Sequence, residues 1–252
     1  MGGAILIIRQ KAQEIECIKQ HDHAYISGKV AEHWIEAVHD EVKVGIFEHD
    51  RAWIPLDEYI EKDPERNLPH DFISYPLQPK LQAYTRGLDE VQEQSAYASL
   101  LCSRHYCSFF SGTITSQPEV KQFLEQERLR QTQILEQLQP GSEEDIEREF
   151  KLLQFCDDVS LYICMNPPGI PKSDEVSWFR DGFSQTFSFA PDGIHARWLN
   201  DTDIQLKPFP FIEPLTLSFP VYTLPQSAFN ERQSQLSFDQ LPNYTQTVTF
   251  LP

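Results

Sequence analysis

Eight histidines and sixteen aspartates in 252 residues form four His-Asp dipeptides: His21-Asp22, His39-Asp40, His49-Asp50 and His70-Asp71. That is more than random placement gives, and imidazole with carboxylate is the donor set that suits Zn, Mn or Fe. The dipeptide alone does not select a site, but helical spacing does. His23 shares a face with Ile26, Val30 and Trp34, His49 follows Val42 and Ile46 and precedes Trp53, and His105 lies on a stripe with Tyr97 and Leu101. Each of these imidazoles therefore points inward.

Asp157 occupies one apolar stripe with Phe150, Leu153, Leu161 and Cys164, whereas Asp158 falls beside Lys151 and Gln154 on the polar side. A buried carboxylate is costly unless its charge is compensated, so Asp157 calls for a metal ion or a cationic side chain. The remaining histidines His33, His39 and His195 are expected to be hydrogen-bonded core residues. His70-Asp71, in a loop flanked by prolines, is expected to form a solvated turn.

The elements that must position these groups follow from periodicity. Helices are predicted from Asp22 past Trp34, over Leu81–Val91 after Pro79, and over Ser95–Phe110, Glu119–Leu138 and Ser142–Cys164. The last starts after Pro140-Gly141 with a Ser142-x-x-Asp145 cap. Ile5–Ile8 and Glu14–Ile18 read as a hairpin that needs a partner sheet. Alternation in Leu215–Val221, with Phe183–Phe189 and Tyr244–Phe250, marks strands in a proline-rich C-terminal part. The stretch 55–76 has no clear period and is long enough to be functional.

A formal charge of −17 and no lysine/arginine cluster argue against nucleic acid as a partner, and require a bound cation or local arginines at any phosphate site. Five scattered cysteines without a C-x-x-C pair fit reduced thiols. With no signal peptide and no membrane-length apolar run, a soluble cytoplasmic protein is expected.

The runs Gln20-His21-Asp22-His23-Ala24, Glu48-His49-Asp50-x-x-Trp53, Leu100-Leu101-Cys102-Ser103-x-His105-Tyr106 and Leu153-Gln154-x-Cys156-Asp157-x-x-Ser160-Leu161 resemble an uncharacterised bacterial family, domain of unknown function 3891. The order His23, His49-Asp50, Asp157 also resembles the H…HD…D ligand set of HD-domain metal-dependent phosphohydrolases. That resemblance implies one or two divalent ions (Mn, Fe, Zn or Ni) on His23, His49, Asp50 and Asp157, with Asp50 able to bridge two ions. His105 would be a ligand to a second ion or a phosphate contact, and Arg51 and Arg104, each beside a site residue, would be bidentate phosphate binders. His21 competes with His23 as first ligand, and periodicity favours His23. The 106 residues between Asp50 and Asp157 exceed what compact HD domains need.

The expected fold is mainly α: an HD-like multi-helix bundle over residues 20–169. A β-hairpin (1–19) and a β-rich region (170–252) supply a small antiparallel sheet. The expected function is hydrolysis of a small phosphorylated compound, such as a nucleotide, by a metal-activated water. The competing expectations are a non-catalytic metal- or ligand-binding protein on the same scaffold and, without metal, a buried salt-bridge cluster. The β-rich region would shape a substrate pocket or serve a homodimer interface.

Overall fold

A computed structural model describes residues 6–139, 141–228 and 235–252. Ile5 and Pro140, which the sequence places at a strand start and ahead of a helix, lie outside them. Six helices are found among the described residues: α1 (Gln20–Glu32), α2 (Asp40–Phe47), α3 (Leu77–Gln94), α4 (Ala96–Ser108), α5 (Pro118–Leu138) and α6 (Glu143–Met165). Their ends follow from local chemistry. Pro118 opens α5, Ser95 caps α4 by accepting from the Ala98 amide, and Ser142 and Asp145 close a reciprocal capping box on α6.

The strands are β1 (Leu6–Gln10), β2 (Glu14–Lys19), β3 (Tyr59–Asp63), β4 (Leu68–Pro69), β5 (His195–Trp198), β6 (Asp203–Lys207), β7 (Leu215–Pro225), β8 (Gln235–Ser237) and β9 (Asn243–Leu251). Six of them form a curled sheet in the order β1-β2-β7-β9-β6-β5, and three form a second sheet, β4-β3-β8. This overturns the expected mainly α bundle with a small antiparallel sheet. The described residues are about 50% helical, 3-10 turns included, and 23% strand, and the large sheet is a mixed half-barrel. It is mixed because β6 runs parallel to β9, while its other pairings are antiparallel.

The hairpin β1–β2 does form, and it joins the large sheet through β2 and β7. The stretch 55–76 is not an aperiodic loop, since β3 and β4 arise within it and β8 completes their sheet. Phe183–Phe189 is not a strand. Its alternation instead delivers rings to the core, Phe183 onto Phe155 at 5.3 Å between centroids and Phe187 onto Trp34 at 4.7 Å.

The largest buried cluster unites Ile26 and Val30 of α1, Phe155 and Val159 of α6, and Leu217, Val248 and Phe250 of the sheet. A second centres on Trp53, Tyr84, Leu88 and Tyr106, and Phe72 packs against both. Helix α3 rests on the 3-10 turn Arg51–Leu56 through Gly87, where a Cβ would lie 2.6 Å from the Ala52 nitrogen and 2.7 Å from its Cα. The C-terminal end of α6 is held to the sheet by Arg9, which pairs with the fully buried Glu16 at 2.9 Å and donates to the Asn166 carbonyl at 3.4 Å. Lys11 and the Tyr244 hydroxyl also contact the Glu16 carboxylate.

Two outcomes are expected. Gly87→Ala lowers stability by about 1–3 kcal/mol in urea unfolding. The helix-propensity gain of about 1 kcal/mol is outweighed because the struck atoms are backbone and cannot rotate away. Burial pushes the Glu16 carboxyl up, but hydrogen bonds from Lys11 and Tyr244 and the Arg9 charge prevail, so its pKa is lowered. Its stabilisation is therefore present above the unfolded carboxylate range and is lost as pH falls through the depressed folded value. Glu16→Gln costs about 3 kcal/mol at pH 7, and urea midpoints show its deficit against wild type shrinking on acidification.

Candidate metal centre

His23 enters from the first turn of α1, His49 and Asp50 from the exit of α2, His105 from α4 and Asp157 from α6. All five are buried, and the structure brings them together. His23 Nε2 lies 2.9 Å from Asp157 Oδ1, 3.3 Å from His49 Nε2 and 3.6 Å from Asp50 Oδ2. His49 Nε2 lies 3.3 Å from Asp157 Oδ1 and 3.9 Å from Asp50 Oδ2, and His105 Nε2 lies 3.4 Å from Asp157 Oδ2. With bonds of about 2.0–2.1 Å, neighbouring ligands around one ion stand ~3 Å apart in octahedral and ~3.4 Å apart in tetrahedral geometry. The observed spacings bracket those edges.

The tautomers point the same way. The His49 Nδ1–H donates to the Ile46 carbonyl at 2.7 Å, and a carbonyl only accepts, so in the neutral ring Nε2 offers a lone pair to the cluster. On His23, Nδ1 meets the Ser160 hydroxyl, which donates to the Asp157 carbonyl at 2.8 Å. His23 Nδ1 is thereby the donor, and its Nε2 is also a lone pair. Two nitrogen lone pairs and two carboxylate oxygens converging in a buried cluster are repulsive unless a cation, metal or proton, lies among them. Two overlapping groups satisfy ligand spacing, His23/His49/Asp50 and His49/His105/Asp157. They share His49.

The electrostatics record the same strain. Burial pushes His49 down, but Asp50 and Asp157 more than offset it and raise its pKa to about 9. His105, dominated by burial, is lowered to about 3. Burial raises Asp50, whereas Asp157 is drawn well below the usual range because, when the cluster's cation is a proton carried on the imidazole Nε2 atoms and not a metal, hydrogen bonds from the His23 and His49 rings overcome its burial.

Asp50 was expected to bridge two ions, yet its Oδ1 accepts the Trp53 indole N–H at 3.0 Å and only Oδ2 faces the histidines. Asp157 spans the cluster instead, Oδ1 toward His23 and His49 and Oδ2 toward His105.

His21 is exposed and His23 is not, which separates the two candidates for first ligand. Arg51 and Arg104 do not join the cluster: Arg51 pairs with Glu90 and Glu48, and Arg104 with Glu143. His39 and His195 are exposed rather than core residues, and half-buried His33 bonds the Lys29 carbonyl. His70-Asp71 is buried rather than solvated, because Asp71 accepts the Ile73 and Ser74 amides and pairs with Arg66 at 2.9 Å.

The cluster floors a cavity of about 460 Å³ walled largely by aromatic and aliphatic side chains, among them Trp53, Phe72, Tyr84, Phe110 and Trp178. Three polar lining residues escaped the sequence reasoning: Gln20, Lys80 and Asp158. Asp158 is not on a polar outer face. It borders the cavity, accepts from Gln185 at 2.9 Å, and is raised to about 7 by burial and the Asp157 charge.

Fold and site together define an α+β protein built around a buried cluster of three histidines and two aspartates able to hold a metal. Residues 6–226 match the family model described as Protein of unknown function (DUF3891), and the chain belongs to that family. No curated protein and no solved structure matches it. No helix among the described residues is long and apolar enough to cross a membrane, and all five cysteines are free.

After equilibration with Mn, Fe, Zn or Ni ions and desalting, the protein is expected to retain one or two ions per chain by mass spectrometry, and Asp157→Asn or His49→Ala to lose them. A ligand at a hundred times its Kd adds about 2.7 kcal/mol, so the thermal midpoint rises with metal. No retention and no shift would mean that the cluster is a hydrogen-bonded ion-pair network.

Proposed function

We propose that this protein is a metal-dependent phosphohydrolase, similar in ligand order to HD-domain enzymes, acting on a small phosphorylated compound. The observation that carries it is the convergence of His23, His49, Asp50 and Asp157, three of which, His23, Asp50 and Asp157, line a ligand-sized cavity. A bound divalent ion would supply an activated water and counter-charge for phosphoryl oxygens, in a chain whose net charge of −17 otherwise repels phosphate.

The protein's own groups set the geometry. The Ile46 carbonyl and Ser160 hold His49 and His23 in the tautomers that present Nε2, the Trp53 N–H fixes Asp50, and the Phe109 ring lies edge-on to His105 at 4.6 Å. The apolar walls exclude bulk water and strengthen every charge interaction at the floor. Water's oxygen bonds to phosphorus as the ester P–O bond breaks. The water proton passes to the departing alkoxide, leaving an alcohol and inorganic phosphate.

A second reading, a non-catalytic metal- or ligand-binding protein, is favoured by one observation: Arg51 and Arg104 are tied to glutamates, so neither clamps a phosphate here. Phosphate release from p-nitrophenyl phosphate and a phosphomonoester panel separates the two. In metal-loaded protein Asp50→Asn is expected to lower turnover by roughly a hundred-fold or more, and Trp53→Phe by about ten-fold with the metal retained. A fully loaded wild type no more active than Asp50→Asn on the whole panel would leave the binding protein.

A further inference from the structure

We infer that the cavity selects a phosphate monoester with an apolar, planar ester group, with Lys80 contacting the anionic head and Trp178 covering the body. This rests on the phosphohydrolase reading and names its substrate class.

Among the described residues lining the cavity, Lys80 is the one lysine or arginine. Its Nζ donates to the Phe72 carbonyl at 2.8 Å and the Ile73 carbonyl at 3.4 Å. An ammonium has three protons, so these carbonyls fix the head and leave one donor for a ligand. Unlike Arg51 and Arg104, Lys80 pairs with no carboxylate within salt-bridge distance among the described residues. Its charge is therefore available to an incoming anion.

The charge inventory limits that anion. Asp50, Asp157 and Asp158 line the same cavity as Lys80. Lys80 gives a single phosphoryl head one ammonium contact, and the described lining offers no second cationic side chain to the further phosphates of a polyphosphate chain. Arginine forks, the usual device for a second and third phosphate, are absent among the described lining residues.

The rim limits the ester group. Trp178, Ile73 and Phe109 are 53%, 60% and 46% exposed, and all three border the cavity. Three large apolar side chains clustered at one mouth form an uncovered patch, unlike scattered exposed residues. Trp178 sits T-shaped to Phe72 with centroids 6.3 Å apart, which props it at the entrance. Behind the rim, Trp53 and Tyr84 pack at 5.1 Å, so a planar group entering the cavity meets rings from mouth to floor.

The test uses Mn-loaded full-length protein of measured metal content and two non-hydrolysable probes, phenylphosphonate and methylphosphonate, titrated calorimetrically. Phenylphosphonate is expected to bind roughly ten-fold more tightly than methylphosphonate. Trp178→Ala, at an exposed position, should cut that preference by about three- to ten-fold and leave methylphosphonate unchanged. Lys80→Met should weaken both probes by roughly ten-fold or more, with partial recovery in Lys80→Arg. Equal affinity for the two phosphonates, or Lys80→Met binding like wild type, overturns the inference. Binding in the expected pattern without turnover of any monoester supports the inference and overturns hydrolysis, and protein that takes up no metal overturns both.

Discussion

The buried carboxylate of Asp157 is the constraint around which this structure is arranged. A desolvated carboxylate survives only with compensating charge or donors, and here three imidazoles, from α1, the turn after α2 and α4, meet its two oxygens. Asp50 brings a second carboxylate to the same point. Nearby groups then act on direction: Ile46 and Ser160 orient rings, and Trp53 takes one oxygen of Asp50 so that the other faces inward. Helix α3 bears on the turn that carries Trp53, and Arg9 fastens the end of α6 to the sheet. The half-barrel and the helices thus work as one frame for five side chains.

Much of this was legible in the sequence, because the cluster lies in or beside helices whose apolar faces repeat. His23, His105 and Asp157 share stripes with large apolar residues, and those stripes are buried. The same device failed for Asp158: a binary inside/outside face has no category for a cleft wall, which is neither packed nor open. Lys80 was invisible for a related reason, since its neighbours Gln78, Pro79 and Gln82 look like a solvated helix start. Arg51 shows the opposite limit. Its place beside Asp50 suggested a phosphate contact, but Glu48 and, because α3 folds over the turn, Glu90 take up its charge.

The sheet was harder because its decisive pairings are remote in sequence. Strands β5 and β6 are four and five residues long, too short for alternation to stand out. The parallel contact of β6 with β9 leaves no local turn signal of the kind that marks a hairpin. Likewise β3 and β8 are each weak alone and exist because they pair. The bias toward a helical bundle came from weighing periodic segments, which announce themselves, over strands that depend on partners.

The wiring of the centre has a kinetic side. The His23–Ser160 contact closes 137 residues of chain, and the donors belong to segments separated by complete helices, so no fragment can display the ligand set. Loop-closure entropy must be overcome for several long-range contacts before the donors meet. The cluster therefore requires α1, α4 and α6 to have docked and not merely to have formed. An ion that favours the assembled site acts as a latch on the finished topology: it leaves the early folding rate alone and slows the concerted parting of α1, α4 and α6 by which the molecule comes undone.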